Sequence, residues 1–337
     1  MIINLPNTNT SKISAKIDEL HEERGESATG RVLTLLIDTT LKELENALGA
    51  ANAASREHPC RVIAIVRDWQ SANASLHNQN QGNQENQEDQ EDQNQEEETP
   101  NLDAQVRFGA DAGAGEIIIL YPHNDLVRHP DTLVIPLLVP DAPIVAWWPT
   151  NAPENPAKDL LGAMASSRIT DAQRASNTLE TVQNLRKNWS SKDVDLSWTR
   201  ITSWRAMLAS MLDQPPHLPI LSVKVSGPKH YVPLHLLAQW LKISLNVPVE
   251  IVEDSSAHAI TEVSLKRQDG ELSLTRPSGS SQAIISLPGQ ASQPISMPIR
   301  SLQDCLSEEL RRIDPDEIYA QLIHENCCTM QNNELAM

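Results

Sequence analysis

Two hydrophobic periods alternate along this chain. RVLTLLIDTT (31–40) is apolar almost without a break, as a strand covered on both faces is. LKELENALGAANAA (41–54) follows at helical period, with Leu41, Leu44, Leu48 and Ala51 on one face. Thr40 and Glu43 stand at capping-box spacing at its start. RVIAIVRDW (61–69) is a second apolar strand. Strand, helix and strand at this spacing predict a βαβ unit and a parallel sheet. AQVRFGA (104–110), GEIIILYP (115–122) and IVAWWP (144–149) continue it, and RITDA (168–172) is a further short strand. Helices are expected near 124–132, 156–166 and 176–188.

DLSWTRITSWRAMLASMLDQPP (195–216) reads as one helix, with Asp195 or Ser197 as its cap. Ile201, Trp204, Leu208 and Met211 or Leu212 form its apolar stripe, and Gln214-Pro215-Pro216 ends it. ILSVKVSG (220–227) and VPVEIV (247–252) are strands around a helix at 231–245. TEVSLKRQDGELSLTRP (261–277) alternates as a hairpin with Asp269-Gly270 at the turn, and AIISLP (283–288) adds a strand. Two helices close the pattern: one at 301–312, the other opening at Asp314-Pro315-Asp316-Glu317. The fold class expected is α/β. A Rossmann-like N-terminal domain with a largely parallel sheet spans 1–190, and a mixed α+β C-terminal domain spans 191–325. Residues 326–337 are expected to be a disordered tail.

Composition changes this picture at one place. Residues 70–100, QSANASLHNQNQGNQENQEDQEDQNQEEETP, hold eight acidic residues, no Lys or Arg and almost no apolar side chains. Such a segment cannot offset its ordering entropy, so it reads as a disordered insertion within the first domain. It carries eight of the chain's −18 formal charges and leaves −10 for the rest. An acidic surface repels nucleic acid and anionic membranes, which are set aside as partners. No apolar run approaches the roughly 18 residues of a membrane span, and MIINLPNTNT lacks a signal-peptide pattern, so a cytoplasmic location is expected. Cys60 and Cys305 stand alone, Cys327 and Cys328 are adjacent, and none has CxxC spacing, which suits free thiols.

No catalytic set emerges. GESATGRV (25–32) departs from the phosphate loop GxxxxGK[ST] by Arg31 for Lys, by Val32 for the hydroxyl, and by preceding a strand. GADAGAGE (109–116) does not match GxGxxG, and no helix follows it directly, so a turn is expected. His58 neighbours Cys60, but adjacent strand residues point to opposite faces. There is no HExxH, no zinc spacing and no GxSxG. Catalytic, cofactor and metal residues are therefore expected to be absent.

Two of the seven tryptophans, Trp147 and Trp148, are adjacent in DAPIVAWWPTNAP (141–153), in a chain with 3% aromatic residues. On a strand they face opposite ways. Either both are buried on two covered faces, or one anchors a partner or lines a ligand crevice at the strand's end. The same choice applies to SWTRITSWR (197–205), where Trp198 packs and Arg200, Trp204 and Arg205 are candidate partner contacts together with Trp147 and Trp148.

Six blocks taken in order resemble one family. MIINLPNTNTSKI, SREHPCRVIAIVR, DAGAGEIIIL, PLLVPDAPIVAWWP, DLSWTRITSWRAMLASMLDQPP and SLQDCLSEELRRIDPDEIYAQ are similar to the glucose-6-phosphate dehydrogenase assembly family (OpcA), in its actinobacterial branch. The resemblance spans about residues 1 to 325, and the insertion at 70–100 is its main departure. It implies no catalysis. It implies a protein that binds glucose-6-phosphate dehydrogenase, promotes its active oligomer and raises its apparent affinity for glucose 6-phosphate, feeding NADPH production by the oxidative pentose phosphate pathway. Thiol redox control, linked to photosynthetic relatives, is not carried over. Competing expectations are a sugar-phosphate enzyme of the same pathway (a lactonase or isomerase), using Arg200 or Arg205 for phosphate, and a module that binds a metabolite at Trp147 and Trp148.

Overall fold

A computed structural model describes residues 1–24, 31–69, 102–109 and 115–324. The expected insertion at 70–100 and tail at 326–337 lie outside the described residues, as do most of the loop before Arg31 and residues 110–114 of the glycine-rich stretch. Contacts gather into two compact units, Met1–Ile169 and Thr170–Met337. These units divide the contacts, while the sequence reading divides the chain near 190; residues just after 169 have partners in the second unit. Gln173 there accepts a hydrogen bond from the Val232 amide at 2.7 Å.

In the first unit, seven strands lie in the order β1-β4-β5-β3-β2-β6-β7: Ile2–Leu5, Leu102–Phe108, Glu116–Pro122, Cys60–Val66, Leu33–Thr39, Ile144–Trp148 and Ser167–Thr170. β2 pairs in parallel with β3 and with β6, and β3 pairs in parallel with β5. β4 runs antiparallel to both β5 and β1. The parallel core confirms the βαβ reading. Helix α1 (Thr10–Arg24) and the short helices α3 (Pro130–Val134) and α4 (Leu160–Met164) cover one face, and α2 (Leu44–Ser55) packs on β2 and β3. β2 and β3 are buried nearly throughout, whereas β4 alternates buried with half-buried positions. That difference follows from helices on both faces of the central strands and an edge-ward place for β4.

Trp148, Ala146, Leu36, Ile63 and Ile118 join one buried apolar cluster with Ile13 and Ile17 of α1. Trp147, one position earlier, points through the opposite face. Its indole is 0% exposed, and that of Trp148 1%. Of the two arrangements weighed for this pair, the doubly buried one is found.

The expected capping box at Thr40 and Glu43 does not form. The helix begins at Leu44, and Glu43 at its cap makes no side-chain capping bond. Asp68, distant in sequence, instead accepts from the Leu41 amide at 2.7 Å.

In the second unit, α5 (Thr178–Lys187) precedes β8 (Asp193–Asp195), which leads into α6 (Leu196–Thr199) and α7 (Thr202–Leu212). The single helix expected at 195–216 is thus two, broken at Arg200 and Ile201. A second sheet has the order β10-β9-β11-β12-β13-β14: Val249–Glu253, Ser222–Gly227, Glu262–Arg267, Gly270–Thr275, Gln282–Ser286 and Gln293–Ser296. Only β9 and β10 are parallel, linked by α8 (Val232–Leu245); the other pairs are antiparallel. The hairpin forms as predicted, but its turn is Gln268-Asp269, one residue before the expected pair; Gly270, at φ +138° where a side chain would be strained, opens β12 opposite Arg267. The helices α9 (Leu302–Arg311) and α10 (Glu317–His324) follow, the first held by a full capping box of Ser301 and Asp304. Cys305 is buried in α9, as expected.

Candidate functional site

The strand order reverses at β2, which has β3 on one side and β6 on the other. In open α/β sheets the crevice beyond the carboxyl ends of such strands is the usual ligand site. Here that crevice holds about 260 Å³ and is lined by Asp38, Thr39 and Thr40 at the end of β2, Arg67 after β3, Trp148 at the end of β6, and Asp159. Arg67 Nε donates to both Asp38 oxygens at 2.8 and 2.9 Å, and its Nη2 lies 3.9 Å from Asp159. Burial pushes the Asp38 carboxyl up, with Arg67 opposing. Asp159 also caps α4, accepting from the Leu161 and Gly162 amides.

A dinucleotide needs free amides and a glycine turn at this spot, so that its phosphates can approach the helix N-terminus. The turn here reads Thr39-Thr40-Leu41-Lys42-Glu43, without glycine. Its Leu41 amide is taken by Asp68, and Glu43 stands at the helix cap. Two carboxylates, Asp38 and Asp159, line the crevice, and its one lining cation among the described residues, Arg67, is already held by them.

At the described end of the glycine-rich stretch, Gly115 serves packing. A Cβ on Gly115 would come within 2.0 Å of the Cys60 carbonyl oxygen, so only glycine lets β5 start beside β3. Cys60 itself is buried, and burial pushes its thiol up to about 12, which leaves no thiolate for His58 to pair with.

The cluster that sequence reasoning missed is at the start of β5. Glu116 is 0% exposed. It accepts from Arg31 Nη2 at 2.5 Å and from Arg61 Nε, and lies 2.7 Å from His21 Nε2. Arg61 also donates to the Leu137 carbonyl at 2.8 Å. Arg31, the residue that spoils the phosphate-loop pattern, is thus a structural cation. The one available signal was a lone acid opening an otherwise apolar strand, GEIIILYP.

Of the five predicted contact residues, Trp147 and Trp148 belong to the first unit and the other three to the second. Trp204 is 2% exposed. Arg200 sits at the break between α6 and α7 and grips Asp171 in a two-pronged pair at 2.7 and 2.6 Å. Asp195 caps α6 through the Ser197 amide and also accepts from Thr170 Oγ1 and the Ala172 amide. The Arg205 guanidinium lies 3.6 Å from the Trp198 ring centre, and Trp198 Nε1 donates to Asp316 at 2.9 Å. These groups serve the interior of the unit, and arginine paired this way is fixed in place.

Glu309 faces the same helix pair and accepts from Thr199 Oγ1. Burial is the main cause that raises its carboxyl from an ordinary 4.5 to about 7, with the Thr199 bond opposing. The folded chain therefore holds this proton more tightly than the unfolded one. The stabilising contribution is full below pH 4.5 and is lost as pH rises through about 7. Glu309→Gln removes that loss. The variant should exceed the parent in stability at pH 8 by about 1–3 kcal/mol, allowing for partial exposure, and match it at pH 4. Urea unfolding at both pH values checks this; an equal shift at both would refute it.

No group of three or more His, Cys, Asp or Glu among the described residues is placed to hold a metal. No helix among them is long and apolar enough to cross a membrane.

Two family models match the chain. The glucose-6-phosphate dehydrogenase subunit N-terminal domain matches residues 51–187, and the C-terminal domain of the same subunit matches residues 191–323. The chain belongs to the glucose-6-phosphate dehydrogenase assembly family. No curated protein matches it. Among solved structures it is similar to KijD10, a 3-ketoreductase from Actinomadura kijaniata in complex with TDP-benzene and NADP. That match has 10% identity and a TM-score of 0.45, covering 86% of this chain and 93% of that one. It is also similar to myo-inositol dehydrogenase from Lactobacillus casei, at 10% identity and TM-score 0.41, over 86% and 87% of the two chains. A levoglucosan dehydrogenase is similar at 7% identity and TM-score 0.41, over 86% and 90%.

Proposed function

We propose that this chain is a non-catalytic, cytoplasmic assembly factor that binds glucose-6-phosphate dehydrogenase and activates it allosterically. The observation that carries this reading is the ordered pair of family matches, 51–187 and 191–323. Their junction supports a domain boundary near 190. The switch-point crevice supports the non-catalytic part, because carboxylates stand where a nicotinamide cofactor's phosphates would need amides. The acidic balance, −18, argues against nucleic acid as a further partner. Trp147, Trp148, Arg200, Trp204 and Arg205 act in this reading from beneath, by holding the surfaces the dehydrogenase meets.

Activation without chemistry is differential binding: the chain holds the enzyme's active form more tightly than its inactive one. A tenfold shift needs only about 1.4 kcal/mol of difference, within reach of an ordinary interface. The test titrates the purified chain into the dehydrogenase of the same organism at subsaturating glucose 6-phosphate, following NADPH. A saturable rise is expected, with no rate from this chain alone. No rise at tens of micromolar, with co-expressed material as well, removes the activator reading. Turnover of a pathway sugar phosphate by this chain alone removes the non-catalytic one.

A further inference from the structure

The second unit contains a small cavity lined by Arg200, Arg276, Arg300, Tyr231 and Trp204, with isoleucines completing the wall. Three guanidinium groups around one space are unusual in a chain of net charge −18. Two of them are already neutralised. Arg200 holds Asp171, and Arg300 holds Glu308.

Arg276 differs. It is 5% exposed, and no carboxylate among the described residues pairs with it. Its two Nη groups donate only to the Met297 and Ile260 carbonyls, both at 3.3 Å, the long end of the hydrogen-bond range. Its guanidinium lies 5.3 Å from the Trp204 ring centre. Burial works against its charged form. The Tyr231 hydroxyl donates to no group among the described residues.

A buried cation with no carboxylate partner costs several kcal/mol unless a negative group meets it. The space itself suggests what that group is. The cavity has a volume of about 50 Å³. One water needs roughly 10–15 Å³, so the cavity takes about three or four water-sized atoms, the bulk of a tetrahedral oxyanion. A carboxylate presents two acceptors in a plane. A wall that carries Arg276, Tyr231, Arg200 and Arg300 suits a group with acceptors in three dimensions.

We propose that this cavity is a binding site for a phosphate-type oxyanion, either free or as the terminal group of a sugar phosphate. Arg276 supplies the charge and Tyr231 a neutral hydrogen bond. Arg200 and Arg300 contribute field while keeping their own carboxylates. The site is a property of this chain alone and does not depend on the dehydrogenase.

The test is isothermal titration of the full chain with inorganic phosphate, sulfate and glucose 6-phosphate, each against chloride at matched ionic strength. Tryptophan fluorescence serves as the second readout through Trp204. One saturable site at millimolar affinity or tighter is expected. Arg276→Met should weaken it at least tenfold, the size expected for one charge-assisted hydrogen bond. Tyr231→Phe should weaken it about threefold to tenfold, since a neutral bond is lost. Equal affinity for all three ligands identifies a free oxyanion as the occupant; tighter binding of glucose 6-phosphate identifies a phosphate ester. If Arg276→Met does not fold by circular dichroism, Tyr231→Phe decides. Absence of saturation up to tens of millimolar, or affinity unchanged in the variants, overturns the proposal. Loss of dehydrogenase activation in Arg276→Met, without small-anion binding by the parent, overturns it too, by making the occupant a carboxylate of the partner.

Discussion

Glu116→Gln should cost about 3–5 kcal/mol of stability, the amount expected when one partner leaves a buried ion cluster. The side chain keeps its size, so packing changes little. What changes is charge: Arg31 and Arg61 lose the carboxylate that both share, and His21 loses the negative group beside its Nε2. For a unit of this size the melting temperature should fall by roughly 6–20 °C. The mechanism can be separated from general damage. Replacing the set together, as Glu116→Leu with Arg31→Met and Arg61→Met, should recover much of the loss, because apolar groups of similar volume often replace a buried ion set at little cost. Recovery will be partial, since the Leu137 carbonyl then loses its donor from Arg61. A melting temperature within about 2 °C of the parent for Glu116→Gln would show the cluster to be solvated and the argument wrong.

This cluster also marks what the sequence could not disclose. Its partners lie 95, 85 and 55 residues from Glu116, and no local pattern links such distances. The parallel core was legible because burial on both faces leaves long apolar runs at β2, β3 and β5, and the β11–β12 hairpin because alternation and Asp269-Gly270 are both local. Two misreadings have tertiary causes. The apolar stripe from Ile201 to Met211 runs on from Leu196 and Trp198, so periodicity alone joined α6 to α7. At the break Arg200 pairs with Asp171, 29 residues away, a partner that no local pattern shows. The Thr40–Glu43 capping box was chemically sound, but Asp68 takes an amide of that turn from a loop 27 residues on. β14 went unseen because QPIS is short, largely exposed and without alternation. At the candidate sites, arginine and tryptophan identities flagged Arg200, Trp204 and Trp148, all of which line cavities. Arg276, just after the hairpin strand β12, carries no local pattern that sets it apart from a surface cation.

Trp147→Ala should be nearly as damaging as Glu116→Gln, for a different reason. The indole is 0% exposed, and truncating a buried tryptophan costs about 3–5 kcal/mol through lost transfer energy and the cavity left behind. Trp147→Phe separates packing from contact. Trp147 Nε1 is buried with no hydrogen-bond partner among the described residues. Such an orphan donor costs about 1–3 kcal/mol, which phenylalanine relieves while keeping most of the ring. The loss for Trp147→Phe should then stay below about 1.5 kcal/mol, against several for alanine. Urea unfolding of both variants measures the contrast, and the dehydrogenase titration measures its consequence. A support role makes activation by Trp147→Phe close to that of the parent, and makes any loss in Trp147→Ala track its unfolded fraction. A contact role makes Trp147→Ala stable, folded and unable to activate. That outcome would require the strand end at Trp147 to open when the dehydrogenase binds, and would return this residue to the interface.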